Sequence, residues 1–220
     1  MKNIAIILCG AGHLDGSEIR ESIATLWALS QKDVKTQCFA PDESQKDVMN
    51  FLTSTPVENE TRNQLQEAAR IARGEILPLS KFNADDFDAL IIPGGFGAAK
   101  NLSSFATEGS KGSVLPALKT ALEQMHQNRK PLGAICIAPA ILALTFQNKD
   151  IQLTLGKNSE TSAELEKTGN KHIVCAANGC VVDTSFKMVT TPAYMMDTAP
   201  LHEIFTGIQK LVYEVIQLTE

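Results

Sequence analysis

The chain has 220 residues, 44% hydrophobic and 20% charged, enough to bury one sizeable α/β core. Its formal charge of −5 argues against a nucleic-acid partner. The longest apolar runs, such as Ile4 to Cys9, are too short to cross a bilayer. A strand-like pattern by Asn3 leaves no space for a targeting peptide, so no membrane partner and a cytoplasmic location are expected.

The apolar run Asn3 to Cys9 fits a strand buried on both faces of a parallel sheet. Gly10-Ala11-Gly12 turns the chain, and Ser17 stands where a helix N-cap belongs. A helix to Lys32 is predicted, with Ile19, Ile23, Leu26 and Trp27 at helical spacing. Val34 to Ala40 reads as the second strand. Pro41 to Glu60 reads as loop with a helical turn near Val48, and Thr61 to Arg73 as a helix stopped by Gly74. Strands over Asp88 to Pro93 and Leu132 to Ile135 bracket a helix over Val114 to Gln127, and a helix over Ala138 to Phe146 follows.

Beyond Ile151 the candidate strands are Ile151–Leu155, His172–Ala176, Cys180–Asp183 and Met188–Thr191, around a helix over Ser162–Thr168. Asp183 to Phe186 looks like a hairpin turn, and Pro200 to Leu218 like a closing amphipathic helix. Alternating strands and helices predict a mainly parallel sheet covered on both faces, with a small β-hairpin near the C-terminus. No repeat or low-complexity stretch divides residues 1–220, so one domain is expected.

Ligands of such sheets bind beyond the carboxyl ends of the strands. Cys136 stands at one such end, where an apolar strand breaks into a helix. That bend would expose the thiol beside free N–H groups and the positive helix end, which favour a thiolate. The plainer reading is a small buried hydrophobe, and the local pattern supports both equally. Pro93-Gly94-Gly95-Phe96-Gly97 offers unobstructed N–H groups that suit an oxyanion better than a nucleotide, since neither a G-x-G-x-x-G opening a helix nor a Walker lysine is present. Glu18 and Glu21 could lean over the same strand ends as acid or base; as helix-start acids they also need no chemistry. Cys9, Cys38, Cys136, Cys175 and Cys180 form an odd set without a C-x-x-C pair, which indicates free thiols. The scattered histidines His13, His126, His172 and His202 make no metal site.

The runs Asp15–Glu18, Phe39–Asp42, Ala68–Gly74, Pro93–Leu102, Cys136–Pro139 and Val189–Tyr194 closely resemble ElbB-type proteins of the PfpI, class I glutamine-amidotransferase-like superfamily. The resemblance implies a flavodoxin-like three-layer α/β sandwich, often dimeric, with a cysteine at a nucleophile elbow. It also implies a cofactor-free, glutathione-independent glyoxalase of the lyase class, turning glyoxal into glycolate and methylglyoxal into lactate. By motif position Cys136 would be the nucleophile and Gly95 and Ile137 the oxyanion donors. Glu21 is the favoured partner acid, with Glu18 retained beside it. Gly94, Phe96 and Tyr194 would contact substrate, with Phe96 and Tyr194 restricting it to small 2-oxoaldehydes.

The superfamily's glutaminases carry a His-x-Glu before the last helix, where this chain reads Thr190-Thr-Pro-Ala-Tyr194. That departure weakens a glutaminase or peptidase reading. Two other readings stay open: a thiol that responds to oxidants or partners without turnover, and a remnant glutaminase subunit. A homodimer is expected, with a surface near Trp27 as the candidate.

Overall fold

The structure is a computed structural model describing residues 1–220. In chain order its elements are β1 (Lys2–Ile7), α1 (Ile19–Ser30), β2 (Val34–Ala40), β3 (Met49–Asn50), β4 (Thr55–Pro56), α2 (Gln64–Ile71), β5 (Ile76–Pro78) and β6 (Ala89–Ile92). There follow α3 (Phe96–Asn101), α4 (Phe105–Glu108), α5 (Pro116–Gln127), β7 (Leu132–Ile135), α6 (Pro139–Thr145), β8 (Gln152–Leu153), α7 (Glu160–Glu166), β9 (Lys171–His172), β10 (Val181–Asp183), β11 (Met188–Thr191) and α8 (Leu201–Gln217).

Seven strands form one sheet in the order β10-β11-β7-β6-β1-β2-β5. Every neighbouring pair is parallel except β10 with β11. β6, β7 and β11 are buried at every position, which is what helices on the sheet faces require of parallel strands. This is the expected flavodoxin-like arrangement. The strand order reverses at β1, so the ends of β1, β6 and β7 open side by side. The predicted turn of the β10–β11 hairpin is held by Asp183, whose Oδ1 accepts the Phe186 N–H at 3.0 Å.

The structure departs from the local readings in three places. The N-cap of α1 is Glu18, not Ser17; the Ser17 hydroxyl instead accepts the buried Cys9 N–H at 2.9 Å and pins the loop after β1. Ile19, Ile23 and Trp27 lie 44–47% exposed, while Glu21, Ser22, Ala24, Thr25, Ala28 and Leu29 are buried. Small side chains on that face let α1 approach α8, and the Ser22 and Thr25 hydroxyls satisfy themselves on the carbonyls one turn back. The segment near Val48 is a β3–β4 hairpin rather than a helical turn. A three-residue edge strand, β5, and the short helices α3 and α4 complete the chain.

Candidate active site

β7 ends at Ile135, and Cys136 takes a left-handed backbone conformation (φ +61°) before α6 begins. That conformation costs a non-glycine residue roughly 1–3 kcal/mol and persists only where neighbours enforce it. Here Cys136 N–H donates to Thr191 O at 2.9 Å, and Ala138 N–H to Ile135 O at 3.0 Å. The bend leaves Cys136 7% exposed, at the floor of a cleft of about 1020 Å³.

Behind the sulfur stands Glu21, fully buried. Its Oε2 accepts the Gly94 N–H at 2.9 Å and its Oε1 the Tyr194 N–H at 3.3 Å, and its carboxyl is electrostatically coupled to the Cys136 thiol. Gly94 has to be glycine: a Cβ there would lie 2.5 Å from Cys136 Cβ and 2.9 Å from Glu21 Oε2. Gly95 (φ +100°) caps α3, where a Cβ would meet Glu18 N at 2.6 Å. Glu18 closes the arrangement. Its Oε2 accepts Glu21 N–H at 2.6 Å, its own N–H donates to Gly94 O at 2.9 Å, and it lines the cleft.

The electrostatics follow from this stacking. Burial, then the charge of Glu18, pushes Glu21 up to about 8, against the pull of the Tyr194, thiol and Gly94 hydrogen bonds. Burial also raises Glu18, opposed chiefly by the Glu21 N–H. Burial first, and then an ionised Glu21, pushes the Cys136 thiol up, while the N–H groups of Gly95 and Ile137 pull it down. Those two main-chain donors, not the end of a seven-residue helix that starts three residues later, are what favours a thiolate here.

Cys136 and Glu21 therefore titrate as a pair. When the first proton leaves, the charge has two resting places. The carboxylate would be sealed away with two N–H partners, one of them long. The sulfur faces the cleft beside the Gly95 and Ile137 N–H groups and the Glu21 carboxyl. On that ground the sulfur is the better place for the anion, in spite of the burial that raises the thiol.

Of the residues singled out in the sequence, Cys136, Glu18, Glu21, Gly95 and Ile137 are brought together around the sulfur. Gly94 is not part of the cleft lining; its N–H is spent on Glu21. Phe96 and Tyr194 line the cleft without narrowing it to a small pocket. Phe96 is 48% exposed, and the Tyr194 hydroxyl is held by Arg20 at 3.0 Å. The outer wall, from Phe105 and Ala106 of α4 through Ser110 to Thr161 of α7, had no sequence signal, being built of short polar or small-residue elements. His13 lines the cleft, but no histidine hydrogen-bonds the sulfur. No cluster of three or more His, Cys, Asp or Glu side chains could hold a metal ion.

A switch-point sheet with a cysteine on a strand–turn–helix bend and a buried acid behind it defines a flavodoxin-like α/β protein of the elbow-cysteine kind. The chain belongs to the DJ-1/PfpI family, whose sequence profile matches residues 14–199. It is 41% identical to human glutamine amidotransferase-like class 1 domain-containing protein 3, mitochondrial, over 98% of this chain and 83% of that one. It is 31% identical to the zebrafish ES1 protein, mitochondrial, over 99% of this chain and 86% of that one. An isoprenoid biosynthesis protein with an amidotransferase-like domain from Ehrlichia chaffeensis superposes with a TM-score of 0.92 at 34% identity, over the whole of both chains. Drosophila DJ-1beta shares the fold at a TM-score of 0.55 and 16% identity, over 98% of this chain and 96% of that one. No helix is long and apolar enough to cross a membrane.

Proposed function

We propose that the protein is a cofactor-free glyoxalase of the ElbB type acting on 2-oxoaldehydes. The observation that supports this most is a strained, cleft-facing Cys136 whose thiol is coupled to one buried carboxyl and to the N–H groups of Gly95 and Ile137. The Cys136 sulfur attacks the aldehyde carbon, and the carbonyl electron pair moves to oxygen beside the Gly95 and Ile137 N–H groups. Glu21 supplies the proton that completes the hemithioacetal. A carboxylate then takes the hydrogen from the former aldehyde carbon and returns a proton to the neighbouring carbon through an enediol, giving a thioester. Glu18 is placed for this transfer because it borders the cleft, whereas Glu21 lies behind the sulfur. Water cleaves the thioester, releasing a 2-hydroxy acid and restoring the thiol. The sum is one 2-oxoaldehyde and one water to one 2-hydroxy acid.

The lack of a histidine at the sulfur disfavours the glutaminase reading, in which a base must activate the thiol. We also propose a cytoplasmic homodimer joined through the exposed Ile19, Ile23 and Trp27 stripe. The deciding assay compares lactate formation from methylglyoxal by the native protein and Cys136→Ala. Turnover confined to the native protein supports the reading, and equal rates for both would end it.

A further inference from the structure

Two thiols that do not line the cleft have no part in that chemistry. Cys175 and Cys180 flank the turn Ala176–Gly179, which is closed by a 2.9 Å bond from Gly179 N–H to Ala176 O. Such a turn keeps its ends within about 7 Å. The turn brings Cys175 and Cys180, one residue beyond each end, into one neighbourhood, and a disulfide between them requires Cα atoms about 4.4–6.8 Å apart. The Cys175 sulfur leans over the turn. It donates to Ala176 O at 3.5 Å, and a Cβ added at Gly179, next to Cys180, would lie only 2.9 Å from it. Both thiols are partly exposed, whereas Cys9, Cys38 and Cys136 are buried.

The turn is also rigidly seated. Thr191 Oγ1 donates to Gly179 O at 2.7 Å, and a Cβ at Gly207 of α8 would come within 2.2 Å of Ala177 O. The ends of the turn are therefore already positioned, and little conformational entropy is lost on linking them.

The geometry points to Cys175 and Cys180 as a reversible dithiol–disulfide site that exchanges with small disulfides such as oxidised glutathione. The Cys175 thiolate attacks one sulfur of the small disulfide, forming a mixed disulfide and releasing one thiol. The Cys180 thiolate then displaces the second thiol, closing the protein disulfide. Two protein thiols are oxidised, one small disulfide is reduced to two thiols, and the protons lost from the protein end on those thiols. Cys175 is the better first attacker: Lys210 opposes the burial of both thiols, but only Cys180 is also pushed up by Glu214 and by Cys175, to about 11.

The test incubates the full chain at mildly alkaline pH across ratios of oxidised to reduced glutathione, alkylates the free thiols, and maps tryptic peptides. Both cysteines fall between Lys171 and Lys187, inside a single peptide. The expected product is that peptide two hydrogens lighter and unalkylated, restored by dithiothreitol, formed equally in Cys136→Ala and absent in Cys180→Ser. A peptide that stays doubly alkylated at every ratio, or carries only glutathione adducts, overturns the assignment. Because Cys136→Ala should form the bond unaided, this result is independent of the glyoxalase assay.

Discussion

Replacing Glu21 by glutamine should change how stability depends on pH more than it changes stability at any single pH. In the folded chain the Glu21–Cys136 pair keeps both protons up to about 8, whereas the Glu21 carboxyl loses its own at 4.5 without the fold. Between those limits the folded state holds a proton that the unfolded state has lost. This contribution to stability is complete below about pH 4.5 and is lost as pH rises through 8. At 1.36 kcal/mol per pH decade, the full loss is about 5 kcal/mol, with about 3 kcal/mol gone by neutrality. The glutamine side chain of Glu21→Gln cannot ionise and escapes that loss. It does set an amide NH₂ against the N–H of either Gly94 or Tyr194, an unmatched buried donor worth about 1–3 kcal/mol at every pH. The variant should therefore be the less stable protein at pH 5 and the more stable one at pH 8. Urea unfolding at pH 5, 6, 7 and 8 measures the crossing. A constant gap between the two proteins would refute the reasoning.

Three further outcomes follow from the packing. Gly94→Ala forces a Cβ into Cys136 Cβ, the Ile135 carbonyl and Glu21, so a midpoint shift equivalent to about 1–3 kcal/mol should accompany a collapse of methylglyoxal turnover; urea titration and a lactate assay check both. Ser17→Ala orphans the buried Cys9 N–H and should cost about 1–3 kcal/mol in the same titration, where replacing an ordinary cap in an exposed first turn would cost less. Trp27→Asp places a charge in the exposed α1 stripe, and sedimentation should show monomer where the native chain sediments as dimer, with secondary structure intact by circular dichroism.

The buried strands were legible because parallel strands covered on both faces are apolar at every position, and Val34–Ala40, Leu132–Ile135 and Met188–Thr191 form with the bounds their sequences predict. The bend at Cys136 was legible for the same reason, since an apolar strand runs straight into it. β5 escaped notice because three residues ending in Pro78 are too few for an alternating pattern to register. The β3–β4 hairpin hid because each arm is two residues long. In α1 the helical spacing of Ile19, Ile23 and Trp27 did not show which face is buried: that face is built from small and hydroxyl residues that let α1 approach α8, with Glu21 among them. The sequence narrowed the partner acid to two candidates. Only the turn of α1 in space shows that Glu21 sits behind the sulfur while Glu18 borders the cleft. The outer wall was illegible, because α4, Ser110 and α7 come from separate short segments whose convergence no local pattern encodes.

The claim beneath the rest is that Cys136 ionises while Glu21 keeps its proton. The direct measurement is the ultraviolet absorbance of the thiolate titrated with pH, taken as the difference between the native protein and Cys136→Ala. A thiolate step that coincides with the pair's first proton loss is the result predicted. A difference spectrum that rises only after that first proton has gone, as for a thiol beside an already ionised carboxylate, would contradict the account.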